Sequence, residues 1–343
     1  MKRLCLILIL ALFSHIGLLA NVRVLSIGIS EYPESSGWNK LNAHNDVLLI
    51  KTVFPSAISL EDSQATLCGI KDLLSNLSNT ATKGDTIIIH FSGHGQQILT
   101  STSNDEIDGV DEAIIPYNAG KRKTASYRGE NHLTDNSFGI AIDRIRRTVG
   151  PKGLVIAVID ACHSDSMDKT ADETKEIYRG TDEIFGAENL PDEKIDSLRE
   201  AYHNQDSSAL TTMPDMSNVI YISACRSDQR NYEVVEDGKG YGSLTYYFSE
   251  AYRIVGLLDM MEFLTTIYSG MENDKTLQFH GQVPSIRNTI GWEAPVKVVT
   301  PPEPPYPPTT PEDNSISLWI WSLLIVIPLT IVITLWITRK KKR

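Results

Sequence analysis

The apolar positions of this chain gather into short unbroken runs, and those runs set the frame. Leu154–Ile159 reads LVIAVI, rich in Val and Ile and bounded by polar residues. That composition suits a strand buried on both faces, at the centre of a parallel sheet. Asp85–Phe91 (DTIIIHF) and Asn218–Ala224 (NVIYISA) have the same construction, and Asn21–Ser30 (NVRVLSIGIS) passes from alternation into a continuous run. Between them the period changes. Leu41–Phe54 carries apolar residues at helical spacing, with Asp46 on the opposite, polar face. Ile70–Leu77, Ser137–Val149, Ser243–Ile254 and Asp259–Met271 also read as helices, and a short strand is expected near Ala65–Cys68. Strands alternating with helices predict βαβ units, hence a mostly parallel sheet covered by helices on both faces, a three-layer α/β fold.

Three of the apolar runs stop on polar clusters, Ser92-Gly93-His94-Gly95, Asp160-Ala161-Cys162-His163-Ser164 and Cys225-Arg226-Ser227-Asp228-Gln229. The carboxyl ends of strands are where open α/β sheets bind ligands. Neighbouring strands would therefore deliver His94 and Cys162 to one edge, and a Cys–His pair is the minimal apparatus for thiolate attack on a carbonyl. Cys162 is the candidate nucleophile and His94 the general acid and base. The glycines beside His94 let a substrate backbone come close. His90 and His163 read as supporting residues, and Cys68 and Cys225 as inert core thiols. Asp160 and Asp228 place two carboxylates at the same edge, which suits a cationic side chain, Arg above all.

Two polar stretches carry further expectations. Asn104–Glu112 reads as an acidic loop, either a solvated surface loop or a calcium site built from Asp105, Asp108, Asp111 and Glu112. The spacing is not that of an EF-hand, and the proposed chemistry requires no cofactor. Residues 165–215 are strongly charged with few large apolar side chains, an exposed excursion. Lys169, Lys175, Arg179, Lys194 and Arg199 lie in it, and self-cleavage is expected after one of them.

Composition narrows the field. A net charge of −11 argues against nucleic acid as a partner, whereas it suits attraction of basic peptides. Of four cysteines, Cys5 lies in a segment expected to be removed, and the three that remain, without CxxC spacing, give neither a closed disulfide framework nor a zinc site. Residues 1–20, with Met1-Lys2-Arg3 before an apolar stretch, match a cleavable secretory signal. The folded region is expected over 21–299, followed by a Pro-rich linker at 300–314 and a transmembrane helix at 315–338. Trp319, Trp321 and Trp336 suit the membrane interfaces, and the basic tail 339–343 suits a cytoplasmic end. The domain would then stand outside the cytoplasm, tethered to the membrane. The same ending also resembles a sorting signal whose tail is removed.

The motifs resemble a known family. SGHG (Ser92–Gly95) and DACHS (Asp160–Ser164), each ending a hydrophobic strand, are similar to the caspase family of cysteine peptidases, with a nearer match to its metacaspase and bacterial metacaspase-like branch. Phe91 stands where metacaspases carry tyrosine. Ile222–Gln229 resembles their ISGCKDDQ segment with Ala224 for glycine, and Asp111–Pro116 and Asn45-Asp46-Val47 fit the same pattern. The resemblance implies a caspase-like fold and a peptidase acting on peptides or proteins. It also implies an oxyanion hole from the Gly95 and Cys162 N–H groups, and a pocket for Arg or Lys at Asp160 and Asp228. The animal-caspase QAC-x-G signature is absent, so cleavage after Asp is not expected. A catalytically silent caspase-like binding or scaffold module is the alternative.

Overall fold

The computed structural model describes residues 21–101, 107–162, 177–203, 210, 212–227 and 229–295. Its centre is a six-stranded sheet in the order β11-β8-β7-β3-β1-β2. The strands are β1 (Val22–Gly28), β2 (Ile58–Glu61), β3 (Thr86–Ser92), β7 (Leu154–Asp160), β8 (Asn218–Ser223) and β11 (Ser285–Asn288). All neighbours run parallel except β11, which closes one edge antiparallel to β8. The apolar runs of β3 and β7 are buried on both faces, as their composition predicts.

Alternate residues of each central strand face different helix layers. Ile87, Ile89, Val155 and Ala157 pack with α2 (Leu67–Thr80) and α3 (Asp135–Val149) through Ile70, Leu74, Phe138 and Ile145. On the other side Ile88, Ile156, Val158 and Ile220 pack with α1 (Ala43–Val53), α5 (Ser243–Ile254) and α6 (Met260–Asn273) through Ile50, Phe248 and Phe263. This is the three-layer arrangement. The remaining strands form a three-stranded antiparallel sheet, β4 (Gly95–Ser101), β5 (Ile107–Ile114) and β6 (Leu133–Thr134), and a hairpin, β9 (Glu233–Glu236) with β10 (Lys239–Gly242). Helices α4 (Asp192–His203) and α7 (Lys275–Phe279) and the short 3₁₀ turns Glu34–Ser36 and Asp62–Gln64 complete the described elements.

Several expectations are corrected. The strand expected near Ala65–Cys68 is the start of α2, because Thr66 accepts the Gly69 N–H at 3.1 Å as an N-cap; the actual strand is β2, paired with β1. Cys68 is exposed on that helix instead of buried in the core. Much of the acidic loop is strand, since Ile107–Ile114 pairs with β4 through the backbone, which charged side chains do not prevent. The excursion 165–215 is not uniformly exposed: Arg179, Thr181, Phe185 and Ala187 are buried, and α4 follows them. Asp46, placed on the polar side of its helix by periodicity, is fully buried. No helix among the described residues is long and apolar enough to cross a membrane; the expected signal (1–20), linker, membrane helix and tail (300–343) lie outside the described residues.

Candidate active site

β3 and β7 are direct neighbours, with Ser92 opposite Asp160. Each chain leaves the sheet at that level, so His94 and Cys162 follow at the same carboxyl edge, two residues beyond the paired position. The Gly93 N–H donates to the Asp160 carbonyl at 3.3 Å and ties the two exits together. A Cβ on Gly93 would come within 2.8 Å of the Phe91 ring and 2.9 Å of the Tyr32 hydroxyl, so glycine is required by close approach.

His94 is held on three sides. Its ring stacks on Trp38 with centroids 4.7 Å apart, and its backbone N–H donates to the Tyr32 hydroxyl at 3.1 Å. Its Nε2 lies 2.9 Å from the Asn39 carbonyl, an acceptor, so Nε2 carries the proton. That leaves Nδ1 as a lone-pair acceptor, buried and without a hydrogen-bond partner among the described residues. Burial pushes the His94 pKa down to about 3, which keeps the ring neutral.

Cys162 is fully buried, and its Sγ donates to the Gln229 carbonyl at 3.0 Å. Cys225 is not a remote core thiol, since its Sγ lies 3.6 Å from that of Cys162. This contact, then burial, pushes the Cys225 thiol well up and keeps it protonated. His90 serves below the edge as a positioning residue. Its Nε2 donates to Thr245 Oγ1 at 2.9 Å, while Thr245 donates from both N and Oγ1 to Asp160 Oδ2 at 2.7 Å. Ser26 bonds the other ring nitrogen of His90 at 2.9 Å. His163 lies outside the described residues.

The site is filled by the chain itself. Arg179 is fully buried, and its carbonyl accepts the Cys162 N–H at 2.7 Å. Gly95, the other expected oxyanion donor, opens β4 directly after His94. The guanidinium of Arg179 enters an acidic pocket. Nη1 meets Asp46 Oδ2 at 2.8 Å and Ser92 Oγ at 2.6 Å, Nη2 meets Glu233 Oε1 at 2.9 Å, and Asp160 Oδ1 is 3.9 Å from Nη1. Burial alone would lower the arginine's pKa; the carboxylates of Asp46, Asp160 and Glu233 overcome it and hold the guanidinium charged. Burial pushes Asp46 up to about 7 even though Arg179 pulls it down.

The backbone around Arg179 is equally committed. The Arg179 N–H donates to the Asn231 carbonyl at 2.9 Å and the Glu233 N–H donates to the Ile177 carbonyl at 3.0 Å. Tyr178 bridges Tyr232 in antiparallel fashion. Beyond it, the Phe185 N–H donates to the Gln97 carbonyl at 2.8 Å and the Leu99 N–H to the Phe185 carbonyl at 3.0 Å. Residues 177–185 thus lie as a bent segment across the carboxyl edge, tied by isolated bridges at Tyr178 and Phe185, with the Arg179–Gly180 peptide at Cys162.

Of the two carboxylates singled out from sequence, Asp160 is present but saturated by Thr245 and by Asn231 Nδ2 at 2.8 Å, and Asp228 lies outside the described residues. The close contacts to the guanidinium come instead from Asp46, Ser92 and Glu233. The Asn-Asp-Val and Ser-Gly-His-Gly motifs could have signalled the first two; Glu233, on a hairpin, has no sequence signal. Of the calcium candidates, Asp111 accepts from Asn136 Nδ2 at 3.0 Å and from the Glu112 N–H at 2.9 Å, and Asp105 lies outside the described residues. Asp108 falls within β5. No group of three or more metal-binding side chains converges among the described residues.

Comparison with known proteins places this geometry. Residues 22–291 match the caspase domain family. The chain is 31% identical to Metacaspase-4 of Arabidopsis thaliana over 115 residues, covering 33% of this chain and 23% of that one. It is 24% identical to Metacaspase-1B of Aspergillus oryzae over 221 residues, covering 57% and 49% of the two chains. These matches span between about a quarter and a half of the relatives' length. The crystal structure of protein GSU0716 from Geobacter sulfurreducens superposes with a TM-score of 0.52 at 22% identity, over 78% of this chain and 93% of that one, a likeness of fold.

Proposed function

This chain belongs to the caspase-domain family, and from that premise we propose that it is a cysteine endopeptidase cutting after arginine or lysine and processing itself after Arg179. One observation carries the reading: the Arg179 carbonyl rests on the Cys162 N–H while its guanidinium fills a pocket of carboxylates. A peptide bond seated in that way is a substrate awaiting attack.

In the proposed chemistry, Cys162 gives its thiol proton to His94 Nδ1 and attacks the carbonyl carbon after the arginine. The developing oxyanion takes the Cys162 N–H, with Gly95 as the second donor; each such donor is worth about 3–4 kcal/mol in acyl transfer. His94 then passes the proton to the departing amine, and the new amino terminus leaves. Water, deprotonated by His94, hydrolyses the thioester and returns the thiol. The Asn39 carbonyl holds Nε2–H throughout, so the proton shuttles on Nδ1 alone. We extend the proposal to the ends of the chain, a cleaved signal over 1–20 and a membrane tether over 315–338 that leaves the peptidase outside the cytoplasm.

A peptide panel varying only the residue before the cut tests this. Arg and Lys peptides should be hydrolysed and Asp peptides left intact. A preference for Asp or apolar residues would refute the pocket, and no labelling of Cys162 by an electrophilic Arg peptide would favour the silent-module alternative.

A further inference from the structure

The segment 177–185 also records what lies beyond the cut. Gly180 sits so close to the nucleophile that a Cβ there would fall 2.5 Å from the Cys162 carbonyl oxygen and 3.0 Å from its Cβ. Two residues on, Asp182 Oδ2 receives Arg230 Nη2 at 2.7 Å, and its carbonyl receives Arg199 Nη2 at 2.7 Å. Next, Glu183 takes Arg122 in a forked pair, Nε to Oε2 at 2.5 Å and Nη2 to Oε1 at 2.8 Å, with Lys121 Nζ at 3.2 Å. Gln96 Nε2 donates to the Glu183 carbonyl at 2.9 Å. The side chain of Arg230 is only 12% exposed, whereas that of Arg122 is 67% exposed.

These cations come from separate parts of the fold. Lys121 and Arg122 follow β5, and Arg230 follows β8 beside the backbone that pairs with residues 177–179. In a chain of net charge −11 they converge on one short stretch. Resting on the peptidase reading above, we propose that Arg230, Lys121 and Arg122 form a subsite for acidic residues on the leaving side of the cut. Preferred protein substrates then carry Arg-Gly followed, two and three residues after the arginine's neighbour, by Asp or Glu. Arg230 should dominate, because a charge-assisted bond to a mostly buried guanidinium outweighs an exposed ion pair screened by solvent.

The test uses full-length, self-processed protein and two long peptides, Ile-Tyr-Arg-Gly-Thr-Asp-Glu-Ile-Phe and its Asn-Gln counterpart at the Asp-Glu positions. A short Ile-Tyr-Arg substrate with a coumarin leaving group runs alongside. The acidic peptide should have a kcat/KM about tenfold or more higher than the neutral one. Arg230→Gln should bring that ratio close to one, and Arg230→Glu should invert it for a peptide carrying Lys-Lys there. Equal rates on the two long peptides, with the short substrate still cut, would overturn the subsite and spare the peptidase. Failure on the short substrate in the unsubstituted protein is the result that strikes the peptidase reading itself. A ratio that survives Arg230→Gln would overturn the assignment of the subsite to Arg230.

Discussion

β7 and the segment 177–185 meet at Cys162, yet they are held by different means. β7 is buried through Val155, Ile156, Val158 and Ile159, packed between two helix layers. The segment 177–185 carries Tyr, Arg, Thr, Asp and Glu; backbone pairing and ion pairs at Arg179, Asp182 and Glu183 hold most of it, and the buried Ile184 and Phe185 anchor its far end, Phe185 against Tyr127 and His132. Apolar burial is non-directional and is lost only when the domain opens. Ion pairs demand a specific partner, and water replaces that partner once the segment lifts. The first kind of contact makes a scaffold; the second makes an occupant that can leave after it is cut.

The largest effect should come from the groups that act on the occupant. His94→Ala should lower peptide hydrolysis by about 10²–10⁴-fold, the range for a positioned acid–base group. Thermal unfolding should also shift, because the variant removes a buried ring that stacks on Trp38 and bonds the Asn39 carbonyl, so activity is compared at a temperature where both proteins are folded. Full activity in that variant would break the mechanism.

The comparison itself is broken or sharpened by a pair of truncations. Ile156→Ala in β7 should cost about 2–5 kcal/mol in chemical denaturation, as for a core cavity. Arg122→Ala, which removes the exposed ion pair to Glu183 on the segment 177–185, should cost about 0.2–1 kcal/mol. Equal costs would mean that the segment is part of the core.

A subtler effect is expected in the pH profile. Asp46 has a pKa pushed up to about 7 while arginine occupies the pocket, through burial first. As pH falls through that value the carboxylate gains a proton and loses its attraction for the guanidinium. Hydrolysis of Arg peptides should therefore rise with pH across about 6 to 8, and kcat, which reports the occupied site, should show a midpoint near 7. His94, at about 3, titrates outside this window. Asp46→Asn should flatten the profile and reduce kcat/KM several-fold; an unchanged profile would take Asp46 out of the pocket.

What could be read from the sequence follows this same divide. β3, β7 and β8 were legible because a strand buried on both faces must be apolar along its length, and His94 and Cys162 were legible because they end such runs. Asp46 was misplaced because periodicity assigns a polar residue to solvent, whereas this one faces a buried cation 133 positions away in the chain, Arg179. Residues 177–185 read as solvated for the same reason: no local pattern records a backbone pairing with Asn231 or an ion pair with Arg230. The Asn39 carbonyl, which fixes the His94 tautomer, is a backbone atom and leaves no side-chain signature at all.

The most direct measurement is N-terminal sequencing of the fragments formed by freshly folded protein, beside Cys162→Ala. Active protein should yield a new amino terminus at Gly180, and Cys162→Ala should yield none. A terminus elsewhere in active protein, or the Gly180 terminus in both, would contradict the reading of Arg179 as a seated substrate.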